Sequence, residues 1–298
     1  MNETPRCAFY YESANRIHRN DGPPLYWFDA ARRLYGKDNT IHLVPNGDID
    51  PGKFGKYDYH FWVDWGEDAL MSHLPYTPLT PPKPNIYICS DAHLGYDYRL
   101  SRAREFDWVF CNQLEATEAF IKDGIPRERC IWLPHAAEPL AYPKKAIINK
   151  YDVCFIGNVG AWNRVEFLDR MFKEFPNFFY GKRLFEEAAQ EFCASKIVLN
   201  ISIKEDLNMR FMETLSTGSF LLTNNLPSLK YLFKEGVHYV GYDTLDEAVD
   251  KARYYIARDE ERQKIADDGH AEFMAKHTYT HRLKTVMEMV TKKETVTA

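Results

Sequence analysis

Short apolar runs alternate with longer amphipathic segments through the first half of the chain. The runs are bounded by Gly, Pro and Asn and are too short for helices, so they predict β-strands. The predicted strands are 7–11, 40–44, 57–63, 85–89, 108–111 and 130–133, and the predicted helices include 25–35 and 114–122. Strands that alternate with helices predict a parallel sheet with helices on both faces.

The second half repeats this rhythm without repeating the sequence. Predicted strands are 153–156, 177–180, 197–201, 220–223 and 238–242, and predicted helices are 165–174, 186–194, 228–234, 245–255, 259–276 and 282–290. Residues 139–150 contain two prolines and three lysines without clear periodicity and are interpreted as an interdomain linker. We therefore predict domains over 1–140 and 151–285, followed by a polar tail over 286–298 that is frayed from 291 onwards.

Length, net charge and cysteine pattern exclude several classes of protein. A chain of 298 residues that is 45% apolar can build two domains, and its net charge of −5 with dispersed basic residues argues against a dedicated nucleic-acid surface. The six cysteines form no C-x-x-C pair, and four of them lie in strand-like runs, which is typical of small buried side chains in a reducing compartment. No signal core or membrane-length run is evident, so we expect a soluble cytoplasmic protein.

The strongest chemical signal is the segment from Glu205 to Gly218, which lies between two predicted strands. Glu205 and Glu213 are eight positions apart, and a helix that begins near Leu207 would leave Glu205 on the preceding loop and Glu213 on the last turn. The unpaired N–H groups at the start of that helix would favour an anion. Two carboxylate acceptors beside an anion site suit a ligand with hydroxyls and phosphates, such as a nucleotide sugar.

This segment resembles the E-x7-E region of retaining GT-B glycosyltransferases of family four, and more closely that of their CgeB-like branch. The resemblance implies that Glu205 contacts donor-sugar hydroxyls, Glu213 the nucleotide ribose and Arg210 the diphosphate. Gly218 matches the glycine that follows the second Glu. The glycine-rich residues usual between the glutamates are replaced here by residues 206–208, a departure from the family pattern. The alternative is a surface helix with unrelated charged residues.

A second candidate follows the first strand of the second half, where Gly157 and Asn158 lead towards Arg164. Glycine at a strand-to-helix turn lets the backbone approach a phosphate, and Arg164 could form a forked pair with phosphate oxygens. The spacing is not the dinucleotide-binding G-x-G-x-x-G. CgeB-like enzymes are similar in this turn and the later Arg, which implies that all three residues bind the nucleotide sugar. The alternative is a plain turn with a surface Arg.

The first half supplies candidates for the sugar and the acceptor. Asp91 and His93 follow a predicted strand, and the resemblance implies that His93 lies near the transferred sugar; a turn residue and a polar loop residue are the alternative. His135 lies in a segment that resembles the family's hinge, where it could contact a substrate or hold the hinge. His18 and Arg19 match a loop on the acceptor side, and a solvated loop is an equal alternative.

The resemblance, clearest over 150–285, implies a GT-B fold of two Rossmann-like α/β domains with parallel sheets that face an interdomain cleft. We predict sugar transfer from a nucleotide-diphosphate-sugar donor to a glycan, protein or small-molecule acceptor, with retention of configuration and with Glu205, Asp91 and His93 as the catalytic group. Nucleic acid is not expected as a partner but stays open as an acceptor.

No cofactor is expected, and no metal-ligand spacing stands out; Asp48 and Asp50 form a D-x-D in an early Gly/Pro loop and are discounted as a donor-metal site. Two other functions stay open at this point. One is a noncatalytic GT-B scaffold of a spore coat, surface layer or phage particle, and the other is a nucleotide-sugar epimerase on the same fold.

Overall fold

The chain folds into two compact units. The computed structural model describes residues 4–11, 22–44, 55–64, 80–92, 95–160, 162–203 and 206–297, with the backbone alone for 162–163 and 293–297. Its internal contacts assign Met1–Pro134 and Tyr279–Ala298 to the first unit and His135–Thr278 to the second.

A sheet of six parallel strands forms the centre of the first unit, in the spatial order β2-β1-β3-β4-β5-β6. Its elements in chain order are β1 (Cys7–Tyr10), α1 (Pro23–Tyr35), β2 (Thr40–Leu43), β3 (Tyr59–Val63), β4 (Asn85–Cys89), α2 (Tyr96–Ala103), β5 (Trp108–Cys111), α3 (Leu114–Lys122) and β6 (Cys130–Trp132). Strands β3, β4 and β5 are buried at every position. This continuous burial is typical of parallel strands covered on both faces, and it explains their uninterrupted apolar runs.

Helix α2 is held against this sheet by a buried ion pair. Arg99 on α2 donates from Nε to Asp64 Oδ2 at 2.9 Å, and both side chains are fully buried. Tyr87 on β4 donates its hydroxyl to the same carboxylate oxygen at 2.7 Å. The sequence analysis did not predict α2, because two of its four buried side chains, Arg99 and Arg102, are charged and mask the apolar periodicity.

A sheet of five parallel strands forms the second unit, in the order β11-β10-β9-β7-β8. Its elements are β7 (Tyr151–Ile156), α4 (Trp162–Glu174), β8 (Phe178–Gly181), α5 (Phe185–Cys193), β9 (Ser195–Asn200), α6 (Met209–Ser216), β10 (Leu221–Asn224), β11 (Val240–Tyr242), α7 (Leu245–Ile256) and α8 (Asp259–Lys276). Alternate residues of β7 enter different cores: Phe155 packs with Met171 of α4, and Cys154 packs with Phe192 of α5. Helices therefore cover both faces, as the sequence predicted.

The last helix, α9 (Tyr279–Thr297), belongs to the first unit. Tyr279 packs its ring against Tyr26 and Trp27 of α1, and Leu283, Val286 and Val290 are fully buried at helical spacing. The structure thus differs from the predicted division, in which 282–285 ended the second domain and 286–298 formed a polar tail. The local sequence pattern predicted a helix here, but it could not indicate which unit the helix packs against.

Two further predictions concern local structure. Residues 228–234, predicted as a helix, form only a 3₁₀ turn over Leu229–Tyr231. The chain reverses soon afterwards at Gly236, where φ is +73°, which leaves no room for further helical turns.

The four cysteines predicted as small buried hydrophobes, at 89, 111, 130 and 154, are buried with free thiols, and burial raises the pKa of Cys130 and of Cys154 to about 12. Over the described residues, none of the helices has the length and apolar character that crossing a membrane requires.

Candidate functional site

Polar side chains gather where the strands of the second unit end. All five strands are parallel, so their carboxyl ends lie along one edge of the sheet. There β7 leads into Gly157, β9 ends at Asn200 and β10 ends at Asn224. This edge is where ligands of parallel α/β sheets bind.

Gly157 makes room for a guanidinium group. Its φ of +154° is a conformation that favours glycine, and its N–H donates to Gly181 O of the neighbouring strand at 3.2 Å. A β-carbon on this residue would lie 2.9 Å from Arg210 Cζ and would overlap the Nη2 of the same side chain. In this structure, the space beside the Gly157 backbone that was predicted to admit a phosphate is occupied by the Arg210 side chain.

Arg164 connects the turn after β7 to the end of β9. Its Nε and Nη2 donate to Ile201 O at 3.0 and 2.5 Å, and its Nη1 donates to Asn158 O at 2.8 Å. The side chain is buried, and burial lowers its pKa from the usual arginine value. This geometry differs from the predicted phosphate fork, because three of the five N–H donors already bind carbonyl oxygens. Arg164 holds the turn in place, and a contact with phosphate stays a prediction.

Arg210, on the first turn of α6, has a different environment. Its Nη1 donates to Asn200 Oδ1 at 3.1 Å, a neutral acceptor, and among the described residues no carboxylate forms an ion pair with it. Burial lowers the pKa of its guanidinium to about 10; the charge of Glu213 opposes this shift and that of Arg164 adds to it. The group is therefore cationic at neutral pH, with a positive charge that its hydrogen bond does not neutralise.

The two arginines converge on one aromatic ring. The Cζ atoms of Arg210 and Arg164 lie 4.9 and 5.8 Å from the ring centroid of Phe155 on β7. The structure thus brings together two cationic groups that are 46 positions apart in sequence, and their shared binding of an anion stays a prediction. Contact with a π-face stabilises a partly desolvated cation without removing its net charge.

The start of α6 has no side-chain cap. Asn208 occupies the N-cap position, but its Nδ2 donates to Asn200 Oδ1 and Ser202 Oγ, and its side chain makes no hydrogen bond to the helix N–H groups. Within the described part of the chain, its buried Oδ1 has no hydrogen-bond partner. The helix begins two residues later than the predicted Leu207. Its first N–H groups, beside the Arg210 guanidinium, are suited to an anion.

Glu213 and Gly218 are the other candidate residues that the structure describes in the segment 205–218. Glu213 lies one turn after Arg210 on α6 and is partly buried. Glu205 lies outside the described residues. Gly218 has a φ of +66° and ends α6 as its C′ residue, where its N–H donates to Leu215 O at 3.1 Å. A β-carbon there would meet Lys144 Cδ at 2.8 Å, so this glycine serves the helix end.

In the first unit, Asp91 follows β4 in a left-handed conformation, with a φ of +50°. A non-glycine residue in this region is strained and persists only where its surroundings hold it. Gln113 supplies one constraint, because its Oε1 accepts a hydrogen bond from the N–H of Ala92 at 2.8 Å. His93 lies outside the described residues. The structure places Asp91 at the carboxyl end of a strand, as predicted, and its catalytic role stays a prediction.

Of the three candidates for the acceptor side or the hinge, His135 lies among the described residues. His18 and Arg19 lie outside the described residues. His135 is buried at the start of the second unit, and its role as a substrate contact or as a hinge residue stays open. Within the described ranges, no cluster of three or more His, Cys, Asp or Glu side chains could hold a metal ion.

Sequence analysis did not identify the side chains that organise the edge of the second unit. These are the neutral residues Asn200, Ser202 and Asn208, which are linked by hydrogen bonds. One signal was available, since an Asn that ends an apolar strand is out of place unless a polar partner is present. Without knowledge of its partners, a neutral polar residue gives a weaker sequence signal for a binding site than a charged one.

Comparisons with known proteins give consistent results. Residues 139–288 match the family model described as "Glycosyl transferase-like". Among solved structures, Anabaena HepE with UDP and glucose has a TM-score of 0.65 at 12% identity and covers 97% of this chain and 100% of its own. No curated protein sequence matches the chain.

Two further solved structures are similar over almost the whole chain. Sucrose-phosphate synthase from Thermosynechococcus elongatus has a TM-score of 0.63 at 9% identity, and α,α-trehalose 6-phosphate synthase from Burkholderia multivorans has 0.61 at 10%. Each covers 99% of this chain and 100% of its own. At these identities the likeness shows the fold, and it confirms the predicted GT-B class with two parallel-sheet α/β domains.

Proposed function

Because this chain belongs to the glycosyl transferase-like family and is a glycosyltransferase, we propose that it transfers a sugar from a nucleoside diphosphate-sugar donor to a hydroxyl-bearing acceptor. We propose a UDP-sugar as the first donor to test. Its motivation is the set of HepE structures, which are described as complexes with UDP, with UDP and glucose, and with UDP-glucose.

The observation that supports this proposal is a cation at the carboxyl edge of the second unit whose hydrogen-bond acceptor is neutral. Arg210 is held by a neutral amide, lies against Gly157 and stands at an uncapped helix start. A partly buried positive charge whose hydrogen bond goes to a neutral acceptor is stabilised when an anion binds beside it. A diphosphate supplies that anion, and its oxygens can accept hydrogen bonds from both the guanidinium and the helix N–H groups.

Residue roles follow from this placement together with the CgeB-like resemblance. We propose that Arg210 and the N-terminal N–H groups of α6 bind the diphosphate, that Glu213 accepts hydrogen bonds from the ribose hydroxyls, and that Glu205 contacts the donor sugar. Gly157 and Asn158 form the turn beside the diphosphate, with Arg164 as its support. As the glycosidic bond breaks, charge grows on the leaving diphosphate, so Arg210 should act more strongly in the transition state than on the bound donor.

Finer features of the reaction belong to the same proposal. Asp91 and His93 are proposed to lie near the transferred sugar, and His18, Arg19 and His135 to serve the acceptor or the hinge. We further propose that the chain is a member of the CgeB-like branch related to family four, that transfer retains the configuration, and that it proceeds without a metal ion. The proposed acceptor is a glycan, a protein or a small molecule.

Binding of nucleoside diphosphates is the first test. Thermal unfolding of the protein would be followed with UDP, GDP, ADP and dTDP, each with its nucleoside as control. A ligand at roughly 100 times its dissociation constant adds about 2.7 kcal/mol to the free energy of unfolding. We expect UDP to stabilise the protein and uridine to do so more weakly. No stabilisation by any diphosphate would contradict the proposed donor site.

Catalysis is tested by release of UDP from UDP-glucose and related donors, with and without an acceptor library. Activity that survives EDTA would support transfer without a metal, and loss that Mg²⁺ or Mn²⁺ restores would contradict it. The anomeric configuration of the first product, read by NMR, decides between retention and inversion. Conversion of one nucleotide sugar into another without UDP release would show an epimerase instead.

A further inference from the structure

Asn200 is the centre of the hydrogen-bond network at the proposed diphosphate site. It is the last residue of β9 and is fully buried. Its Nδ2 donates to Thr223 Oγ1 at 3.1 Å and to Ser202 Oγ at 3.3 Å. Its Oδ1 accepts from Arg210 Nη1 and from Asn208 Nδ2, both at 3.1 Å. Both amide protons and both lone pairs of the oxygen are used, so the amide is held in one orientation.

Arginine dictates which way this amide points. A guanidinium has only donors, so the atom of Asn200 that faces Arg210 must be the oxygen. The backbone of the same residue is also fixed, since Tyr242 donates its hydroxyl to Asn200 O at 2.8 Å. Asn200 therefore orients the Arg210 side chain from a rigid strand end.

The acceptor of Arg210 differs from the acceptors of two buried arginines of this protein, Arg99 and Arg262. Arg99 in the first unit pairs with the carboxylate of Asp64, and Arg262 in the second unit pairs with Asp259 at 2.7 Å. Both of those arginines therefore have a carboxylate partner, which is buried for Arg99 and exposed for Arg262. Arg210 instead donates to the side-chain oxygen of an amide, which carries no negative charge.

We propose that Asn200 is a positioning residue that orients Arg210 while leaving its positive charge available to the diphosphate of the donor. This inference rests on the proposed function and adds a requirement to it: the acceptor behind the arginine must be neutral. An aspartate in its place would have nearly the same shape and would still accept from Arg210 and Asn208. It would also compete with the ligand for the charge of Arg210.

The test is Asn200→Asp in the full-length protein. Titration calorimetry would measure the dissociation constants of UDP and uridine, and of GDP and guanosine as a second pair. We expect the affinity for the diphosphate to fall by at least about tenfold, as for loss of a charge-assisted contact. We expect the affinity for the nucleoside to stay unchanged, because the nucleoside carries no phosphate. The midpoint of thermal unfolding should not fall below that of the wild type, because Arg210 pairs with the new carboxylate and the hydroxyls of Ser202 and Thr223, which accept from the amide, can turn to donate to it.

Asn224→Asp is the matched control. Asn224 ends the neighbouring strand β10, and its Oδ1 accepts from the backbone N–H of Ser202 at 2.7 Å, a bond that a carboxylate preserves. The control adds the same charge at the same edge of the sheet without contacting Arg210. We expect its loss of diphosphate affinity to be smaller than that of Asn200→Asp.

Each remaining outcome counts against the inference. If Asn200→Asp bound UDP like the wild type, the neutrality of the acceptor would have no function. Equal losses for UDP and uridine, or a lower thermal midpoint, would reduce Asn200 to a structural residue. Equal losses in the two Asp variants would assign the effect to general charge. A wild-type protein that binds none of the diphosphates would instead overturn the proposed function.

Discussion

At the scale of single residues, the two arginines of the second unit differ in how their hydrogen bonds are used. Arg164 donates to the carbonyl oxygens of Ile201 and Asn158, whereas Arg210 donates to one neutral amide. Sequence reasoning assigned both to a diphosphate because both are cationic and lie near strand ends. Only the structure separates a supporting arginine from one whose charge is available.

We predict that Arg210→Ala weakens binding of UDP by more than about tenfold, corresponding to the 1.5–3 kcal/mol that a hydrogen bond to a charged group contributes. Arg210→Lys should retain part of the affinity, because it keeps the charge and loses the planar fork. Calorimetric titration measures both. Arg253→Ala serves as control, since that arginine is exposed on α7 and forms only surface ion pairs. An unchanged dissociation constant in Arg210→Ala would remove this residue from the site.

Gly157 gives a second prediction at this scale. A β-carbon at this position would overlap the Arg210 guanidinium, and its positive φ disfavours any other residue. We expect Gly157→Ala to lower the free energy of unfolding by about 1–3 kcal/mol and to weaken UDP binding as Arg210 is displaced. Gly160→Ala, three residues along the same turn, meets nothing within 4 Å and should change neither. Urea unfolding measures the stability of both variants, and equal losses in Gly157→Ala and Gly160→Ala would contradict this prediction.

At the scale of elements, the strands were predicted better than the features that connect them. The bounds of β4, β5, α3 and α8 were predicted to the residue, because apolar runs and helical periodicity are local signals. Helix α2 was missed because Arg99 is buried beside Asp64, a partner 35 positions away that no local pattern indicates. Asn200 was missed for the same reason, because its hydrogen-bond partners lie outside its own strand. A buried polar residue can be interpreted only when its partners are known.

The support of the turn after β7 gives a prediction at this scale. Arg164→Ala would leave the carbonyl oxygen of buried Ile201 without its donor and would remove the bond that holds the turn at Asn158, so we expect the free energy of unfolding to fall by about 1–3 kcal/mol. Arg210→Ala removes a partly buried charge whose acceptor is a neutral amide and should leave stability unchanged or raise it. Chemical denaturation of the two variants measures the contrast. Equal destabilisation would mean that both arginines are structural.

At the scale of the whole molecule, the division of the chain is the largest difference from the sequence-based prediction. The start of the last helix, 282–285, was assigned to the second domain because it follows that domain in sequence, and the rest of the helix was assigned to a polar tail. In the structure its apolar face covers the first unit, where Arg282 also donates from Nε to Pro134 O at 2.8 Å. Chain order predicts neighbours within one unit, and only the packing of side chains shows where a terminal helix belongs.

This arrangement separates stability from nucleotide binding, and Leu283 tests the separation. Leu283 is fully buried on α9, so Leu283→Ala should lower the free energy of unfolding by about 2–5 kcal/mol through lost burial and a cavity. Lys284→Ala, exposed on the next position of the same helix, should have little effect. The residues proposed to bind the diphosphate all lie in the second unit, so the folded Leu283→Ala protein should bind UDP with the affinity of the wild type. If the substitution weakened UDP binding at a temperature where the protein remains folded, α9 would have to support the nucleotide-binding unit, as the sequence alone predicted.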